Sequence, residues 1–231
     1  MDLEQLASYL HRDARELHKL ANHGHLPGTK VGGEWRFASA EIHYWLETQI
    51  PVYTEEQLTA LETGASRGTD DCQPLLAPLL SEAAMAVPLA AGTKASVLRE
   101  LVAIAEQTWQ VYDPAALLAA IQQREAQGST ALEGGVALPH PHRPLAGNVQ
   151  GEALIAYART PRGIPFGAAD GGLSALFFLV CCRDRSTHVR ALARLARLLL
   201  RPEFIEQLRC AESVRQTHAA IVQAEQELME A

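Results

Sequence analysis

Leucine and alanine recur at helical spacing in the first fifty residues. In "LEQLASYL" Leu3, Leu6, Ala7 and Leu10 share one face, and in "RDARELHKLANHG" so do Ala14, Leu17, Leu20 and Ala21. Asp13 stands where it can cap the second of these helices, and Gly24 follows its end. The segment "TKVGGEWRF" then reads as a small hairpin turning at Gly32-Gly33. Ser39 is placed to cap a third helix, "AEIHYWLETQ", with Ile42, Trp45 and Leu46 on one face. Two helices, a short β-wing and a further helix in so few residues predict a winged helix-turn-helix.

The periodicity changes further along. Helices are predicted over "KASVLRELVAIAEQT", with Thr93 as cap, and over "DPAALLAAIQQREAQG", with Asp113 as cap, Pro114 at the first helical position and Gly128 past the end. "EALIAYA" reads as a strand. Residues 173–182, "LSALFFLVCC", form a continuous apolar run of strand length, which predicts a central strand covered on both faces. "STHVRALARLARLLL", with Ser186 and Thr187 as caps, and "SVRQTHAAIVQAEQELME" read as amphipathic helices. Helices alternating with strands predict an α/β domain around a covered sheet.

Charge divides the chain further. The net charge is −7, yet residues 51–74 alone hold one basic residue against five acidic ones. That stretch, "PVYTEEQLTALETGASRGTDDCQP", also carries Gly, Ser, Thr and Pro, and reads as an acidic linker with some helix in it. The expected division is therefore a small domain over 1–50, a linker over 51–73 and a large domain over 74–231. No apolar run is long enough for a membrane span, and the N-terminus lacks the pattern of a signal peptide, which predicts a cytoplasmic protein without membrane insertion. Cys181 and Cys182 are adjacent while Cys72 and Cys210 lie far off, a spacing that suggests neither a zinc finger nor a disulfide framework.

The small domain resembles the excisionase-type, MerR-like helix-turn-helix family. The motif that carries the likeness is "G-x-L-P-G-x-K-V-G-G-x-W-R-F" followed by a helix containing Trp. The resemblance implies a second helix that enters the major groove and a wing on the DNA backbone. By position, Arg15, His18 and Lys19 fall on that helix, and Lys30 and Arg36 on the wing. Residues 1–50 nevertheless hold five basic residues against seven acidic ones, short of the basic footprint of a DNA binder. DNA binding and protein docking both stay open.

The stretch "LEGGVALPHPHRP" sets His140 and His142 in a proline frame after a short apolar strand. Proline restricts its own φ and biases the preceding residue toward extended backbone, so the imidazoles are held with little freedom. A His-x-His pair with His188 offers three nitrogen ligands for zinc, but no further ligand or supporting shell stands nearby in sequence. A phosphoryl acceptor needs a neutral imidazole, cationic or hydrogen-bonding neighbours, and access for a donor. His188 is expected in the first turn of a helix, where the dipole favours an anion, and Arg124 ends the helix upstream.

"REAQGSTALEGGVALPH" resembles the phosphorylation-site motif of phosphotransferase-system enzyme IIA domains of the fructose/mannitol/nitrogen-regulatory type. The downstream "GIPFGAADGGLSALFFLVCCRDRSTHVRALARLARLLLRPEFIEQLRCAES" matches the later half of that family. The resemblance implies a mixed sheet covered by helices on both faces. It also makes His140 the phosphoryl acceptor, His188 and Arg124 its partners, and Ser129 and Thr130 supports of the loop or the site. No cofactor and no metal are expected. HPr or its nitrogen-branch equivalent is the implied phosphodonor, with a IIB component, a kinase or a transporter as further partners. Pro141-His142 departs from the family pattern, which has a small residue after the acceptor histidine. Arg190, Arg194, Arg197 and Arg201 line one helix face, read as solvated or as a dock for an acidic partner.

Overall fold

The computed structural model describes residues 1–10, 12–64, 75–145 and 147–230. Helices α1 (Leu3–Leu10) and α2 (Ala14–Asn22) are followed by the wing strands β1 (Thr29–Val31) and β2 (Glu34–Arg36) and by α3 (Ser39–Gln49). The wing is an antiparallel pair turning through Gly32 and Gly33, both at positive φ, which a side chain would make costly. Asp13 caps α2 by accepting from the amides of Arg15 and Glu16. α3 differs from expectation. Its N-cap is Ala38, with no side-chain cap, and the Ser39 hydroxyl instead accepts a 2.6 Å bond from Arg185.

Part of the acidic stretch is ordered as α4 (Glu55–Gly64), while residues 65–74 lie outside the described residues. α4 buries Leu58 and Leu61 and packs along α7 (Arg185–Leu199). Its Glu62 takes bonds from Arg194, and from Arg197 at 3.0 Å. Arg194 also reaches Glu225 at 3.0 Å, and the Glu225 carboxylate accepts the amides of Leu75, Leu76 and Ala77. Arg194 and Arg197 therefore do not belong to a solvated face. The acidic partner they dock is a helix of their own chain, where the guanidinium groups offset buried carboxylates.

The large domain is built on a five-stranded mixed sheet in the order β3 (Met85–Ala86), β6 (Ala153–Ile164), β7 (Ser174–Cys182), β5 (Val136–Ala137), β4 (Ala131–Leu132). β6 and β7 are antiparallel, whereas β3 and β5 run parallel to their neighbours. β6 outlasts the predicted strand, with an irregularity between Arg159 and Ile164 around Pro161. Alternation along β7 sends Leu176, Phe178, Val180 and Cys182 to one core and Phe177, Leu179 and Cys181 to the other. The second core is closed by α5 (Lys94–Gln107) and α6 (Pro114–Gln127), capped by Thr93 and Asp113. The first is closed by α7, α8 (Pro202–Cys210) and α9 (Val214–Glu230), and it continues without a break into the apolar residues of α1 to α4.

Candidate phosphoryl-transfer site

The site begins at a hairpin. β4 turns into β5 through Gly134 and Gly135, both at positive φ, and a Cβ on Gly135 would stand 3.1 Å from the Leu173 carbonyl. From β5 the chain runs through Leu138 and Pro139, whose carbonyl accepts from the Val180 amide at 3.0 Å. His140 therefore leaves the end of a strand anchored to the sheet centre. Its Nδ1 lies 2.7 Å from the Leu138 carbonyl. A carbonyl only accepts, so Nδ1 carries a proton there, and Nε2 is the ring nitrogen left to act as the nucleophile.

Two further groups converge on that nitrogen. His188 sits in the first turn of α7 with its ring centroid 5.0 Å from that of His140. The cap of α7 is Asp184, which accepts from the Thr187 amide and hydroxyl, rather than Ser186 or Thr187. Burial lowers the His188 pKa, partly offset by the carboxylate facing it, so the ring tends to stay neutral. Arg124, in the last turn of α6, bonds the Gly128 carbonyl at 3.0 Å and points its Nε into the site.

Ser129 and Thr130 serve the loop. Ser129 donates to the Phe166 carbonyl at 2.9 Å and accepts from the Ala131 amide. Thr130 bonds Glu125 through its amide and hydroxyl, Glu125 pairs with Lys94 at 2.6 Å, and the Thr130 carbonyl holds the Leu138 amide. Cys181 and Cys182 are buried in the sheet, and burial pushes the Cys181 thiol up to about 12, far from a metal-binding thiolate. His142 turns to α3, with its ring 5.7 Å from that of Tyr44.

The residue that sequence reasoning missed is Glu47 of α3. Its Oε2 lies 3.1 Å from His140 Nε2 and accepts from Arg124 Nε at 3.1 Å, and its Oε1 lies 3.4 Å from His188 Nε2. The two histidine contacts are close but lack aligned hydrogen-bond geometry. Burial raises the carboxyl pKa, but the facing imidazoles outweigh it and hold the group well below the usual carboxylate range. Glu47, His140 and His188 offer one ligand atom each, all within 4.8 Å of one another, the donor types of a metal centre. Arg124 opposes that use, because its fixed positive charge already engages the carboxylate. The available signal was weak: His43 and Glu47, at i and i+4, form a polar stripe beside the apolar face of α3. Nothing in that stripe names its partner.

Arg15, His18, Lys19, Lys30 and Arg36 are all exposed, on α2 and the wing, away from the histidine pair. Arg36 pairs with Glu34 at 2.8 Å, and Lys30 lies 5.0 Å from the Trp35 ring.

This mixed sheet, with a strand-end histidine facing a helix-start histidine and a buried arginine, is the arrangement expected of a phosphotransferase-type IIA domain. The chain belongs to the EIIA 2 family of the phosphoenolpyruvate-dependent sugar phosphotransferase system, whose model matches residues 78–224, and residues 1–50 match a helix-turn-helix domain. It is 32% identical over 146 residues to the nitrogen regulatory protein of Bradyrhizobium diazoefficiens, covering 62% of this chain and 92% of that protein. It is 31% identical over 137 residues to the fructose-specific EIIABC component of Bacillus subtilis, covering 58% of this chain but only 21% of that longer protein. Among solved structures, nitrogen regulatory protein IIA-Ntr from Neisseria meningitidis superposes with a TM-score of 0.58 at 26% identity, covering 64% of this chain and 99% of that one. No helix among the described residues is long and apolar enough to cross a membrane.

Proposed function

We propose that this protein is a cytoplasmic regulator whose IIA domain takes a phosphoryl group on His140 from a phosphohistidine carrier, HPr or its nitrogen-branch equivalent. In this reading the helix-turn-helix domain carries the phosphorylation state to DNA. The observation that supports it best is the Nδ1 contact with the Leu138 carbonyl, which leaves Nε2 as the nucleophile facing His188 and Arg124. In the transfer, the donor's N–P bond breaks as a P–N bond forms at Nε2. The donor ring departs neutral, keeping the proton on its other nitrogen. The His140 Nδ1 proton stays against the Leu138 carbonyl and balances the charge gained. Arg124 and His188 serve the spreading negative charge on the phosphoryl oxygens, a task of position and electrostatics.

The test is labelling of the full chain with phosphoenolpyruvate, enzyme I and HPr. One acid-labile phosphoryl group is expected, abolished by His140→Ala and retained in His142→Ala. His188→Ala slows transfer by roughly 100-fold, the scale of losing one oriented stabilising group, with the label still on His140. Label that persists in His140→Ala and vanishes in His142→Ala overturns the assignment. A second reading, a phosphocarrier that hands the group to a IIB component, draws support from the mannitol IIA of Escherichia coli. That protein shares the fold at 18% identity, with a TM-score of 0.52, and is solved in complex with its phosphorylated enzyme IIB.

A further inference from the structure

The proposed acceptor is sealed. His140 is 3% exposed, His188 5% and Arg124 4%, and the element that covers them is α3 of the helix-turn-helix domain. Ring-to-ring transfer from another protein needs an open approach to Nε2. The Glu47 carboxylate fills that approach, as an anion bonded by Arg124 and lying against the two imidazoles, where phosphoryl oxygens would otherwise sit. Around it the cover is fastened by the Tyr44 hydroxyl on the Gln127 carbonyl at 3.3 Å and by Arg185 on Ser39 at 2.6 Å.

Resting on the phosphoacceptor reading above, we infer that Glu47 is a built-in occupant of the phosphoryl pocket, so that docking of the helix-turn-helix domain and phosphorylation of His140 exclude each other. A phosphoryl group on Nε2 needs the space of a carboxylate oxygen that now stands 3.1 Å away, and it would bring two negative charges together. Linkage then works in both directions by the same factor: docking withholds the acceptor, and phosphorylation expels the domain. α4 does not need to move, because its Glu62 stays clamped to Arg194 and Arg197. The exposed face of α2 and the wing is uncovered in both states. What changes on release is the tether, which goes from a rigid dock against the IIA domain to a joint at the α3–α4 junction.

Wild type, Glu47→Gln and Glu47→Ala are labelled from phosphoenolpyruvate, enzyme I and HPr, and amide exchange is followed over residues 39–49 before and after labelling. The expected result is faster labelling of both variants, Ala most, by about 5- to 150-fold, the usual range of coupling between sites. α3 of the wild type is protected before labelling and exchanges faster after it, whereas in Glu47→Ala it exchanges fast from the start. Unchanged exchange in α7 and β7 establishes that the variants are folded. Equal rates overturn the inference. Slower variants also overturn it, since Glu47 would then belong to the transfer machinery. So does tight Zn²⁺ binding by the wild type that is lost in Glu47→Gln, because the carboxylate would then be a ligand. If none of the three proteins takes label, the phosphoacceptor reading itself falls, and the inference with it.

Discussion

The ring of Tyr44 lies 5.2 Å from the guanidinium carbon of Arg124, so the arginine of the IIA domain is held between a tyrosine and a glutamate of the same helix in the other domain. Tyr44 also meets His142, which gives the extra histidine after the acceptor a contact across the domain boundary. A partly covered cation–π contact is worth about 0.5–2 kcal/mol, and the hydroxyl bond to Gln127 adds roughly 1 kcal/mol. Tyr44→Ala should therefore loosen α3 by about 1–3 kcal/mol, read as faster amide exchange in residues 39–49. Tyr44→Phe should keep most of the protection, since only the hydroxyl bond is lost.

Arg194 is 2% exposed and lies between Glu62 and Glu225, which are 5% and 0% exposed. Removing it leaves Glu225 buried without a counter-charge and Glu62 with Arg197 alone, at a cost of about 3–5 kcal/mol. Arg194→Ala should lower the free energy of unfolding by that amount, read as a lower urea midpoint. Arg194→Lys should recover only part of it, because an ammonium cannot present the forked donors that now span both acids. A midpoint unchanged in Arg194→Ala would mean that α4 is not fastened through this network.

Acid should weaken the fold through His43. Its Nε2 lies 2.8 Å from the Tyr9 hydroxyl, and burial, with Arg185 and His188 adding to it, presses its pKa down from 6.5 to about 4. The folded state therefore holds a neutral ring where the unfolded chain takes up a proton. The stability this contributes is present above pH 6.5, falls as the pH drops toward 4, and is gone below that, a total of about 3 kcal/mol at most. His188, lowered by burial, acts with the same sign. Glu47, whose carboxyl is depressed, adds stability above its usual range that is lost only at still lower pH. Urea midpoints at pH 7, 5.5 and 4.5 should fall in order, and His43→Gln should flatten the decline.

Much of this architecture was legible in the chain because it depends on local chemistry. The apolar run at 173–182 has the length of a strand covered on both faces, and Asp13, Thr93 and Asp113 cap helices where a side-chain oxygen meets free amides. His140 and His188 were each marked by a local signal, the proline frame and the helix start, but their pairing was implied only by the resemblance to the IIA family. The covered site was not. Periodicity reports which face of α3 or α7 is apolar, but not which polar groups meet across elements. Glu47 on His140, and Glu62 on Arg194, are therefore pairings that only the folded chain reveals. The Ser39 and Ser186-Thr187 caps were misjudged for a related reason: Arg185 draws the Ser39 hydroxyl away, and Asp184, a stronger acceptor, stands before Ser186 and Thr187.

Salt dependence is the informative quantity for DNA binding by the whole chain. Arg15, His18, Lys19, Lys30 and Arg36 form an exposed surface with Glu16 and Glu34 among them. The Arg36–Glu34 pair is exposed and worth little, so a phosphate can displace the glutamate. Each phosphate neutralised adds about 0.9 to the slope of log affinity against log salt, so four cationic contacts predict a slope between about −3 and −4. Lys30→Ala should weaken binding evenly across sequences and reduce the slope by about 1. Binding without a salt slope, or none at any salt, would remove DNA as the partner and leave a surface that docks protein. Under the release described above, Glu47→Ala should change the affinity for a duplex while leaving the slope intact, because the contacting cations are the same and only the tether that presents them has altered.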